Sequence, residues 1–174
     1  MKILLAGVGN IFRGDDAFGV EVTRRMLTRP LPEGVRVRDF GIRSFDLACA
    51  LVDGYDVTIL VDATSRGGAP GTLYTIEPDI SNLDALGTPA TVDGHRMDVV
   101  QVIRLAQALG GVMGKILVFG CEPETLGSET EGQMGLSAVV EQAVERAVGL
   151  IETLLTKVIE EGNPVSPLPI PAVA

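Results

Sequence analysis

The stretch "KILLAGVGNIFRGDDAFGV", residues 2–20, decides the fold. Its opening, Lys2–Gly7, is an apolar run of strand length. Its close begins a segment, Asp16 to about Leu27, in which Phe18, Val22 and Met26 recur at i, i+4 and i+8, one face of a helix. A strand that turns through glycines into a helix is the usual entrance to an α/β nucleotide site. This turn instead carries two adjacent carboxylates, Asp15 and Asp16, where a phosphate would be repelled.

The dinucleotide fingerprint needs a third glycine so that helix and strand can pack closely. After Gly7 and Gly9 the corresponding position is Phe12. Asp39 ends the next strand, where a ribose-binding acid would sit, but farther from the glycines than the usual ~20 residues. The nucleotide reading is therefore set aside.

Outward from this stretch, strand-length and helix-length segments alternate. Val35–Phe40 alternates as a strand, and a helix from about Ser44 to Val52 follows with Ser44 as its cap. Val57–Ala63 reads as a buried strand. Gly71–Ile76 follows it too closely for a helical crossover and is expected as an antiparallel edge strand. Residues 77–94 form an irregular loop long enough to be functional. A helix from about Met97 to Leu109 turns Val99, Val100, Ile103 and Leu105 inward, and Lys115–Gly120 is the last central strand. After the loop "EPETLGSETEGQMG", residues 122–135, a final helix runs from Ser137, its cap, to about Glu160, with Glu141 near its first turn. The expected fold is a single three-layer α/β domain over residues 1–160: a mostly parallel twisted sheet, helices on both faces, and one antiparallel edge strand. Residues 161–174, with Pro164, Pro167, Pro169 and Pro171, are expected to form an extended or disordered tail.

The bulk numbers agree. With 174 residues, 46% of them hydrophobic, the chain suffices for one well-buried domain. Only 4% are aromatic, so the core must be aliphatic. A net charge of -9 disfavours nucleic acid and anionic membrane surfaces as partners. The N-terminal apolar run is too short for a signal-peptide core, and no run approaches the ~20 residues of a membrane span. A cytoplasmic location is expected. Cys49 and Cys121 are far apart, which indicates neither a zinc finger nor a disulfide framework. Cys49 reads as core. Cys121 ends a strand and stands as an alternative nucleophile with His95 as base.

In an open α/β sheet, functional groups collect beyond the carboxyl ends of the strands. Three polar residues fall there: Asp16 after the first strand, Asp62 at the end of the third, and His95, the only histidine, before a helix. Two carboxylates and an imidazole make an O,O,N ligand set suited to Ni²⁺, Zn²⁺ or Mn²⁺. Taken singly, each has a plainer role: Asp15 and Asp16 as caps of the first helix, Asp62 as a turn cap, His95 as a cap or surface residue. Their shared edge is what favours a site.

"KILLAGVGNIFRGDDAFGV", then "VTILVDA", "GHRMD" and "VFGCEPETLGSETEGQMGLS", together resemble the hydrogenase maturation proteases, from Met1 to about Leu155. The resemblance implies an endopeptidase that removes the C-terminal extension of a [NiFe] hydrogenase large-subunit precursor. It also implies that Asp16, Asp62 and His95 contact nickel already inserted in that precursor, with zinc or another divalent ion able to take its place. Metal-assisted water attack and carboxylate acid/base catalysis both fit such a site. The precursor would be the partner, and a monomer is the expected state. The competing function is a non-enzymatic, metal-sensing chaperone of the same precursor. The chain departs from the family in having Asp16 where many members carry Glu, and in "DFGIRS", where Phe40 would narrow the cleft or mark a subfamily. The Pro-rich tail has no counterpart in it.

Overall fold

The structure is a computed structural model, and it describes residues 1–80, 99–127 and 132–162. Five strands form one sheet in the order β2-β1-β3-β5-β4. They are β1 (Ile3–Val8), β2 (Val35–Gly41), β3 (Val57–Ala63), β4 (Leu73–Ile76) and β5 (Lys115–Cys121). The first three and β5 are parallel, and β4 pairs antiparallel with β5 at the edge. This is the expected architecture, including the antiparallel edge strand.

β1, β3 and β5 are buried almost throughout, which is why they read as unbroken apolar runs rather than alternating ones. A short 3-10 turn, Gly14–Ala17, leads into α1 (Phe18–Met26), and the other helices are α2 (Ser44–Leu51), α3 (Val99–Ala108) and α4 (Ala138–Glu161). One face of the sheet packs on α1 and α4 through Phe18, Val22, Met26, Val144 and Ile151. The opposite face packs on α2 and α3 through Leu47, Leu51, Val102 and Ile103. Each such side chain contributes about 1.5–3 kcal/mol when fully buried. α3 buries Val102, Ile103 and Ala106, while Val99, Val100 and Leu105 are only partly covered, so the inward face is rotated from the expected one.

Three local expectations change. Helix and strand do pack closely at the first turn, but the glycine that allows it is Gly19, inside α1: a Cβ there would overlap the carbonyl oxygens of Val8 and Val61. Ser44 does not cap α2; Arg43 is the cap residue, and no side chain bonds the helix end. Arg43 instead bridges the β2–α2 turn, its backbone N–H and Nε both donating to the Phe40 carbonyl at 2.9 and 3.0 Å. Phe40 does not narrow the cleft. The register slips between Gly7↔Asp39 and Val8↔Gly41, leaving Phe40 as the extra residue of a bulge. Its ring is fully buried against the α2–α3 face, with the Arg38 guanidinium 4.6 Å from its centroid. Ser137 does cap α4: its Oγ accepts from Val140 N. Residues 163–174 of the expected tail lie outside the described residues.

Candidate active site

The sheet order reverses at β1: the chain leaves it for β2 on one side and returns to β3 on the other. The crevice beyond the carboxyl ends of β1 and β3 is the natural ligand position of such a sheet. Asp16 and Asp62 stand on either side of that point. Asp62 is the penultimate residue of β3, half-buried and opposite Gly120 of β5. Asp16 lies in the 3-10 turn that follows β1 and packs on β3.

The sequence of the first loop places Asp16 through its backbone. Gly9 has φ +132, and a Cβ there would collide with the Asp16 carbonyl oxygen. The Asn10 side chain accepts from Phe12 N at 3.0 Å, closing a local turn. Asn10 N then donates to Asp16 Oδ2 at 2.9 Å, and Asp16 N to the Arg13 carbonyl at 3.2 Å. A carboxylate with one oxygen fixed by a backbone amide is aimed before any ligand arrives, as metal-binding carboxylates generally are. Asp16 is only 7% exposed.

His95, the third expected member, lies outside the described residues. Among the described residues no group of three His, Cys, Asp or Glu side chains is gathered as a metal site. The two carboxylates alone supply hard oxygen donors, and an imidazole is what extends the preference to nickel and zinc.

Asp15 does something the sequence did not indicate. It caps neither the 3-10 turn nor α1, where no side-chain cap bond is made. Fully buried, it accepts from Glu124 N at 2.8 Å, Thr125 N at 3.0 Å, Ser137 N at 2.6 Å and Ser137 Oγ at 2.9 Å.

A second carboxylate was missed altogether. Glu122 follows β5 on the same edge and is 5% exposed. Its oxygens accept from Arg66 N at 2.8 and 3.1 Å, Gly67 N at 3.1 Å and the Tyr74 hydroxyl at 2.8 Å. Burial pushes its pKa up, but the Arg66 amide, the Tyr74 hydroxyl and the Gly68 and Gly67 amides outweigh that and hold it below the ordinary value. The rule that selected Asp62, a carboxylate at the end of a central strand, would have found it.

Cys121 is fully buried, which disfavours it as a nucleophile. Burial, and then the Asp15 charge, push its thiol up to about 12, so it stays protonated at neutral pH. Cys49 is half-buried rather than core.

A family model of hydrogenase maturation proteases matches residues 20–154. The chain belongs to this family. Among its relatives, the hydrogenase 2 maturation protease of Escherichia coli (strain K12) is 30% identical over 164 residues, 93% of each chain. The hydrogenase expression/formation protein HupD of Rhodobacter capsulatus is 32% identical over 126 residues, 72% of this chain and 59% of that protein. The solved structure of the hydrogenase maturating endopeptidase HybD from E. coli superposes with a TM-score of 0.73 at 28% identity, covering 93% of this chain and 94% of that one. The [NiFe] hydrogenase maturation protease HycI from Thermococcus kodakarensis gives 0.63 at 27% identity, covering 89% and 92%. Family members are thus endopeptidases of this α/β fold. Among the described residues no helix of the chain is long and apolar enough to cross a membrane.

Proposed function

We propose that the protein removes the C-terminal extension of a [NiFe] hydrogenase large-subunit precursor once nickel has been inserted, and that Asp16, Asp62 and His95 contact that nickel. The observation that carries this reading is the placement of Asp16 and Asp62 across the sheet's reversal point, in a member of the maturation protease family. The metal belongs to the substrate. Carboxylates presented from one side complete its coordination only when the precursor is loaded, so loaded and empty precursors differ in affinity. Asp16 is held in direction by the Asn10 amide, so little ordering is left to be done on docking. A carboxylate at this position can also take a proton from attacking water.

The test uses matched precursors, nickel-loaded and nickel-free, with the mass of the C-terminus as readout. Cleavage of the loaded form alone is expected, with no cutting of generic unfolded proteins. Equal cleavage of both would remove the metal-sensing role and keep the protease. Binding of the loaded precursor without any cleavage would leave only a chaperone.

A further inference from the structure

A buried carboxylate is costly unless its lone pairs are filled. The four donors to Asp15 come from two places. Glu124 N and Thr125 N lie where the chain leaves β5, and Ser137 N and Oγ lie where it enters α4. One side chain therefore grips both ends of the segment between them. The grip extends into the α4 cap: the Ser137 hydroxyl gives its proton to Asp15 and accepts from Val140 N, while the carboxylate faces the positive end of the helix. Backbone bonds continue the seam. Asp15 N donates to Thr125 O at 3.0 Å, Gly14 N to Gln133 O at 2.7 Å, and Gln133 N to Phe12 O at 2.8 Å. Along that seam two large apolar side chains face water, Phe12 at 55% and Met134 at 73% exposure.

We propose that Asp15 is a positioning residue for precursor binding: by holding residues 124–127 and 132–137 against the loop that carries Asp16, it sets the wall on which the precursor seats. This rests on the protease reading above. It assigns Asp15 to binding rather than chemistry, because Asp16 is oriented by a different bond, from the Asn10 amide.

Asp15→Asn keeps the shape but turns an NH₂ group toward N–H donors, breaking the Ser137 N bond if it takes the Oδ1 position, or the Glu124 N and Thr125 N bonds if it takes the Oδ2 position. Three readouts on the full chain decide the case. Amide exchange at Glu124, Thr125 and Ser137 should accelerate about tenfold or more relative to the β1 and β3 amides. Affinity for purified nickel-loaded precursor, titrated directly, should weaken about tenfold, with KM rising in step and kcat within about twofold. Ile151→Val, a core change in α4, should lower the melting temperature and leave precursor affinity unchanged. Should Asp15→Asn not fold, Ser137→Ala removes the hydroxyl that donates to Asp15, along with the acceptor for Val140 N, and is expected to act in the same direction, about threefold. Unchanged exchange, a fall in kcat at constant KM, or an equal loss of affinity in Ile151→Val would overturn the proposal. If the wild type binds precursor without cutting it, the protease reading fails, while exchange and affinity still decide the role of Asp15.

Discussion

Asp15 and Glu122 are both buried acids at the carboxyl edge of the sheet, and both are satisfied mainly by backbone amides, yet they hold different things. Asp15, with no exposed surface, fastens two loops and a helix cap that also make backbone bonds to one another. Glu122 fastens residues 64–68, of which 65–68 are exposed, onto the end of β5, with the Tyr74 hydroxyl as a second tie. Asp15 sits inside a seam that would partly persist without it. Glu122 is the centre of its own loop, filling a concavity of consecutive N–H groups that in other proteins receives an anionic ligand. Burial of a carboxylate thus does not by itself single out the proposed site residues. What separates Asp16 and Asp62 from these two is their position across the reversal point of the sheet.

The sharpest way to break that contrast is to neutralise the acids in turn. Asp16→Asn and Asp62→Asn should lower precursor cleavage on the order of 10²-fold or more, with melting temperatures close to the wild type. Glu122→Gln should do the reverse, lowering the melting temperature while retaining most of the cleavage. Mass spectrometry of the processed C-terminus and a thermal melt on the same preparations suffice. Full activity in Asp16→Asn would move the chemistry elsewhere on the edge.

Gly9 offers the next largest effect, and it separates geometry from charge. Gly9→Ala would place a methyl group on the Asp16 carbonyl in a residue with φ +132. Backbone strain alone costs about 1–3 kcal/mol, and roughly 2–4 °C per kcal/mol applies at this size. A fall of about 5 °C or more, with loss of cleavage, is expected. Gly54 has a φ of +77 and nothing within 4 Å, so Gly54→Ala should cost only about 1 kcal/mol and leave cleavage intact. Equal effects at the two sites would mean that Asp16 does not depend on the Gly9 turn.

The elements were legible because each strand and helix wrote its burial into its own residues: β1 and β3 as apolar runs, α1 as Phe18, Val22 and Met26. The edge position of β4 followed from chain length alone. The placement of Asp16 and Asp62 at the carboxyl edge was legible for a similar local reason: one follows a strand and the other stands at a strand's end. Asp15 was not, because its partners are more than 100 positions away and nothing in "GDDAF" tells which acid turns inward. Gly19 was missed because the usual glycine spacing places the close approach earlier in the chain. Phe40 was misjudged because a bulge reverses the face on which a side chain falls. Glu122 was treated as the first residue of a loop, although it obeys the same edge rule as Asp62.

The Glu122 knot should also be visible in acid. Its folded pKa lies below the ordinary value of 4.5, so its bonds stabilise the fold fully above that value and are lost as pH falls through the folded pKa. The wild-type melting temperature should therefore decline as the pH drops below about 4.5, and part of that decline should vanish in Glu122→Gln, which starts lower at neutral pH and falls less steeply. Parallel curves for the two proteins would show that Glu122 does not couple the 64–68 loop to pH.

The smallest effect belongs to a third kind of carboxylate. Glu141 and Glu145 lie on the outer face of α4 and pair with Arg25 of α1, their side chains 51% and 63% exposed. These pairs span the same two helices that the core joins, so their geometry alone would make them look like ties comparable to Asp15. Solvent decides otherwise. In water the Coulomb term at contact is about 1 kcal/mol, and holding two long side chains in place uses much of it. Arg25→Gln should shift the melting temperature by less than about 2 °C, and the shift should shrink in high salt, where the screening length falls to about 3 Å. Cleavage should not change, because neither acid lies at the carboxyl edge of the sheet. A salt-insensitive loss of several degrees would place the Arg25 cluster with Asp15 among the acids that hold α4 to the domain.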